Sequence, residues 1–148
     1  MADQTLIFAY DALMDPETLS ALAPNAEFGF VAHYPETRLA FVAGGSGSPT
    51  PTLVKDAGNI VWGAVFSVTA DEAGTIRDWA ARDGRSPGLA DQKAVDREGN
   101  KHDCVVLVAP EGAQTEPQQE YVDSMVRGAR HWNLPAGWIM GLEDLTEV

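Results

Sequence analysis

Apolar residues run unbroken through Leu6-Ile7-Phe8-Ala9-Tyr10 and stop at Asp11, the pattern of a strand buried on both faces. Asp15-Pro16-Glu17 then supplies an N-cap, a proline suited to the first helical position and an acid at the positive end of the helix. A short helix is expected to about Leu22, ahead of Pro24. Phe28, Phe30, Ala32 and Tyr34 alternate with Gly29, Val31 and His33 at strand period, and Arg38 to Ala43 supplies another strand after Pro35; the two are expected to pair as a hairpin. From Asn59 to Val68 the residues Ile60, Trp62, Ala64, Phe66 and Val68 share one face and Val61, Gly63 and Val65 the other, which predicts a central strand. Thr69-Ala70-Asp71-Glu72 is a capping-box pattern that opens a helix through about Arg82, with Gly84 as its stop. Gln92 to Arg97 and His102 to Ala109 flank the turn-rich Glu98-Gly99-Asn100-Lys101 as a second hairpin. Thr115-Glu116-Pro117-Gln118 caps a longer helix carrying Tyr121, Val122, Met125, Ala129 and Trp132 at helical spacing, ended by Leu134-Pro135. Trp138, Ile139, Leu142 and Leu145 mark a short terminal helix.

Strands dominate the first half, and helices fall between and after them without the regular β-α alternation of a doubly wound sheet. The expected architecture is α+β: a small mixed β-barrel or strongly curved sheet with flanking helices. No repeat, charge block or long linker divides the chain, so 1–148 reads as a single domain, with Gly44 to Pro51 as a loop inside it. Its 45% hydrophobic and 22% charged residues are ample for one core. Against 10 Lys and Arg stand 22 Asp and Glu, a net charge of −12. That leaves no basic face for a phosphate backbone or an anionic bilayer, so neither nucleic acid nor membrane is expected as a partner. The start, Met1-Ala2-Asp3-Gln4, lacks the basic and apolar regions of a signal peptide, which points to the cytoplasm. Cys104, the single cysteine, sits in the run Cys104-Val105-Val106-Leu107-Val108 and reads as a small buried hydrophobe; a disulfide framework or cysteine zinc site within one chain is excluded.

Most short chemical motifs are absent. The Gly-Ser stretch lacks the Gly-Lys-Ser/Thr ending of a P-loop and does not fit Gly-x-Ser-x-Gly. His33, His102 and His131 lie in different elements and offer no metal-ligand pair. Asp83 carries more information, because Ala80, Trp79 and Ile76 precede it by three, four and seven residues and form its helix's apolar stripe. An inward-pointing carboxylate at a helix C-terminus has its pKa raised by the unpaired carbonyls and by burial, which suits a general acid/base. The plain alternative is an acid fraying into solvent beside Gly84. At Tyr10-Asp11-Ala12-Leu13-Met14 a buried strand ends and backbone N–H groups lead to a helix N-terminus, either a carboxylate site or an ordinary strand-to-helix turn.

Taken with their neighbours, these residues resemble a family. Phe8-Ala9-Tyr10-Asp11-Ala12-Leu13-Met14-Asp15-Pro16 is similar to the Tyr-Gly-Ser-Asn or Tyr-Gly-Thr-Leu opening of gamma-glutamyl cyclotransferase-like proteins. Val61-Trp62-Gly63-Ala64-Val65-Phe66 resembles the strand before that family's catalytic helix, Asp83-Gly84 falls where the family has Glu-Gly, and Gly128-Ala129, Leu134-Pro135 and Leu142 resemble its closing pattern. The resemblance implies a pocket between the first loop and the acid, binding a small molecule of γ-glutamyl type. Asp83 would take a proton from the substrate's α-amine as it attacks the γ-carbonyl, giving 5-oxoproline and a free amine or amino acid. Tyr10, Asp11, Ala12 and Leu13 would hold the ligand, and neither cofactor nor metal is needed because the nucleophile belongs to the substrate. The alternative is a catalytically inactive member kept as a small-molecule binding or interaction module. Three departures bear on the choice. Asp83 in place of Glu withdraws the carboxylate by about 1.5 Å, Asp11 stands where the motif has Gly and borders the carboxylate site with a like charge, and no tyrosine occurs in Leu89-Ala90-Asp91-Gln92. Arg85 and Lys93 are each either compensating cations for a ligand carboxylate or solvated surface residues.

Overall fold

Strand β1 spans Gln4–Ala9, and its two faces do feed separate cores: Ile7 and Ala9 pack with the helices, while Phe8 and, just beyond the strand, Tyr10 pack inside the sheet's curl. The computed structural model describes residues 4–43, 49–89, 93–110 and 112–146. The Gly-Ser loop at 44–48 and the segment 90–92 lie outside the described residues. Helix α1 is Pro16–Leu22, with Asp15 as its N-cap and Pro16 in its first turn, as the sequence predicts.

The expected hairpin between the Phe28 and Arg38 segments does not form. Both belong to one strand, β2 (Glu27–Ala43), which lies antiparallel along nearly the whole of β3 (Pro49–Thr69). Pro35 signals a bend here, not a reversal. Glu36 takes a positive φ of 56°, and the pairing jumps from Pro35↔Ile60 to Thr37↔Lys55, so one residue of β2 faces the four residues 56–59 of β3. The Gly58 N–H donates to the Glu36 carboxylate across this bulge, at 3.1 Å. A bulge of this kind bends both strands and increases their twist.

Helix α2 (Ala70–Ala81) opens with the expected reciprocal capping box between Thr69 and Glu72. Glu72 also accepts from the Asn25 N–H at 2.7 Å, tying the start of α2 to the turn after α1. Downstream, β4 (Ser86–Pro87) pairs with β7 (Leu107–Val108) as a separate ribbon. The second hairpin forms but is short: β5 (Ala94–Asp96) pairs with β6 (Lys101–His102), and the chain then leaves the sheet instead of continuing as one strand to Ala109. Asp96 explains the tight turn, since its carboxylate accepts from the N–H groups of Glu98 and Asn100 and from His102 Nε2. Helix α3 (Gln119–His131) starts later than Thr115, because Gln118 is its N-cap and makes no side-chain capping bond. Helix α4 is Ala136–Glu143, followed by a short 3₁₀ turn.

The main sheet has the order β1-β3-β2-β5-β6. After β6 at His102, Val105 already bridges Ile7 of β1 in parallel, donating to the Leu6 carbonyl and accepting from the Phe8 N–H. Three residues of chain reach at most about 10 Å, so the two edges of the sheet must have curled towards each other. The strongly curved α+β sheet with flanking helices read from the sequence is therefore the architecture found. Inside the curl, the Phe8 ring lies 5.5 Å from that of Tyr34. Outside it, Ala64, Phe66 and Val68 of β3 pack against Ile76 and Ala80 of α2 and Met125 and Ala129 of α3. Cys104 is half-buried beside the inner core, and burial pushes its thiol up to about 12. Among the described residues, no helix is long and apolar enough to cross a membrane.

Candidate functional site

Asp11 lies at the end of β1 and Asp83 beyond the end of α2, and the fold brings the two acids onto one guanidinium. The link is Arg85. Gly84, with φ of 90°, permits a Schellman turn in which the Arg85 N–H returns to the Ala80 carbonyl and the Gly84 N–H to that of Ala81. This turn reverses the chain so that Arg85 enters the interior, where it is 2% exposed and the largest fully buried side chain. Its Nε donates to Asp83 Oδ1 at 3.0 Å, its Nη1 forms a short ion pair with Asp11 Oδ2, and its guanidinium lies 4.9 Å from the centre of the Trp79 ring. Burial alone works against the cation, but the facing Asp11 carboxylate and the nearby phenols outweigh it and hold the Arg85 pKa above its ordinary value.

The loop expected to hold a ligand is already occupied by the protein's own groups. The Leu13 N–H donates to Asp11 Oδ1 at 3.0 Å, and the Ala12 N–H to the Tyr121 hydroxyl at 3.3 Å. The next two amides close the 3₁₀ turn Ala12–Met14, Met14 onto the Asp11 carbonyl and Asp15 onto that of Ala12. Tyr10, Asp11, Ala12 and Leu13 are all buried. The Tyr10 hydroxyl, near the Arg85 guanidinium, donates to the Leu107 carbonyl at 2.5 Å. Burial raises the phenol pKa of both Tyr10 and Tyr121 well above the ordinary value. The Ala12 and Leu13 amides and the Tyr10 hydroxyl thus each have a partner within the chain, as buried polar groups ordinarily do.

Of the two acids, Asp83 is the one with an open side. Its side chain is 28% exposed, it sits past the last helical turn instead of on the stripe, and Arg85 is its only partner among the described residues. Of the two cations weighed from the sequence, Arg85 is internal, whereas Lys93 is a surface residue, 51% exposed and 3.4 Å from Asp103. Sequence reasoning missed Tyr121, which reads only as part of the α3 stripe, and it left Arg85 undecided. One signal was available: an acid ending a fully apolar strand needs a buried counter-charge.

Helix α3 locks the loop from behind. Gly128 crosses the Met14 backbone so closely that an added Cβ would lie 2.4 Å from the Met14 carbonyl carbon, and Trp132 Nε1 donates to the Met14 oxygen at 2.8 Å. Arg127 pairs with the Asp15 N-cap at 2.7 Å. Among the described residues, no three His, Cys, Asp or Glu side chains gather in a way that could hold a metal ion.

The sequence matches no family model and no curated protein. Its fold, however, is similar to that of several solved structures. A gamma-glutamyl cyclotransferase superposes with a TM-score of 0.88 at 21% identity, covering 95% of this chain and 87% of the other. An uncharacterized protein from Homo sapiens gives 0.85 at 20% identity, over 95% and 86% of the two chains. A gamma-glutamyl cyclotransferase specific to glutathione, from yeast, gives 0.58 at 10% identity, over 96% and 95%. The chain therefore has the gamma-glutamyl cyclotransferase-like fold.

Proposed function

We propose that the protein is a non-catalytic counterpart of the cyclotransferases whose fold it shares, a small-molecule binding or interaction module that does not turn over γ-glutamyl amides. The observation that carries this reading is the occupied loop. A γ-glutamyl substrate would be held by the Asp11, Ala12 and Leu13 amides, and the chain's own Asp11 carboxylate and Tyr121 hydroxyl already take the last two. Arg85 fills the space between the loop and Asp83. Cyclisation also requires a carboxylate free to accept a proton from the α-amine as the bond from that nitrogen to the γ-carbonyl carbon forms and the amide C–N bond breaks, with that proton passed to the departing amine. Asp83 is engaged by a guanidinium, and with Asp for Glu it stands back by about 1.5 Å; a misplacement of that order costs about 10²-fold in rate.

A second reading, an active cyclotransferase with Asp83 as base, is favoured by the open side of that carboxylate. Release of 5-oxoproline from a panel of γ-glutamyl dipeptides and γ-glutamylamines separates the two. The first reading expects no release above the uncatalysed rate. Turnover by the native chain that disappears in Asp83→Asn would replace it with the second.

A further inference from the structure

A cavity of about 270 Å³, sharing no residue with the Asp83 cluster, opens between β2, β3 and α4, walled by Leu39, Ile60, Leu142 and Leu145 with Trp138, and Arg38 at its polar end. The residues around it leave demand of two kinds unmet. Ile60 and Leu145 are about 40% exposed, unusual for large apolar side chains facing one concavity. The indole N–H of Trp138 is buried and has no partner among the described residues, although a buried donor of this type ordinarily finds one. Among the described residues Arg38 pairs only with Asp56, through Nε at 3.7 Å, and that carboxylate is claimed more closely by Asn59 at 2.7 Å, so the terminal amino groups of Arg38 remain available.

We propose that this cavity binds a small amphiphilic carboxylate, with its anionic end on Arg38 and its apolar tail among Leu39, Ile60, Leu142 and Leu145 beside the Trp138 ring. The inference goes beyond the reading of the Asp83 cluster and holds whether or not that cluster turns over an amide. Volume sets the size of the ligand. At roughly 30 Å³ per buried atom-sized unit, the space takes about nine non-hydrogen atoms. The net charge of −12 gives no general attraction for an anion, so recognition has to come from Arg38.

The test is a ¹H–¹⁵N titration of the full chain with octanoate, following the indole cross-peak that Trp138→Phe removes. A saturable shift of that peak is expected, with a sub-millimolar Kd. Arg38→Met, which keeps the apolar stem, weakens binding by about tenfold or more, as loss of a charged hydrogen bond would. Gly141 lies on helix α4 in the cavity wall, and an added Cβ there meets nothing within 4 Å. Gly141→Leu therefore fills the space without disturbing the fold and abolishes the shift. Octylamine, equal in tail length but opposite in charge, leaves the peak in place. The proposal is overturned by an indole peak that does not move at up to about 10 mM octanoate, a range that covers the weak affinity allowed to so few atoms. An equal response to octylamine, or unaltered binding in either cavity variant, overturns it as well.

Discussion

Asp11 and Arg85 carry opposite charges in an interior where neither is tolerated alone. Removing one partner of such a pair costs about 3–5 kcal/mol, whereas replacing both with apolar residues of similar bulk is often close to neutral. Arg85→Met is therefore expected to destabilise the protein by about 3–5 kcal/mol in urea denaturation, and adding Asp11→Leu to it should recover most of that loss. A shortfall of about 1 kcal/mol should remain, because Asp11 also accepts from the Leu13 N–H. Single-residue losses that simply add would show the pair to be uncoupled. Both acids are legible in the sequence, Asp11 from the strand it ends and Asp83 from the stripe it follows. Their shared cation is not, because a Gly84-Arg85 step reads equally well as a surface turn until the Schellman geometry turns the side chain inward.

Elements were most legible where capping chemistry is local. Asp15-Pro16 and the Thr69–Glu72 box fix the starts of α1 and α2 as expected, since each needs only residues within one turn. The lost hairpin has the opposite cause: Pro35 marks a break in the ladder, and only the 21-residue partner β3 decides that the chain bends there and does not fold back. Glu72 offers a test at this scale. Burial tends to raise its pKa, but the bonds from Asn25 and Thr69 prevail and hold it below the ordinary 4.5. A depressed carboxylate contributes stability above its unfolded pKa and loses it as pH falls through the folded one. Glu72→Gln should thus cost about 1 kcal/mol at pH 7, as the loss of a helix cap does. The difference from the native chain should shrink below pH of about 4.5 and vanish in stronger acid. A difference that is constant across this range would mean that the charge has no part in the cap.

At the scale of the molecule, the α+β class and the curl of the sheet follow from strands crowded ahead of helices. The means of closure was not legible: one bridge between Ile7 and Val105, a pairing of far-separated residues with no local pattern. The same long-range packing brings Tyr121 of α3 onto the Ala12 amide, which with the Asp11 bond to Leu13 occupies two amides of the candidate binding loop. On the proposed reading this occupation is what separates a shared fold from a shared reaction, since folds carry many functions and the site decides among them. The most direct measurement is a titration of the native chain with γ-glutamylalanine, observed at the backbone amides of Ala12 and Leu13. Both signals should stay where they are, because their hydrogen bonds already end on Tyr121 and Asp11; a saturable shift of the two together would mean that a ligand displaces those groups, and the closed-loop account would fail.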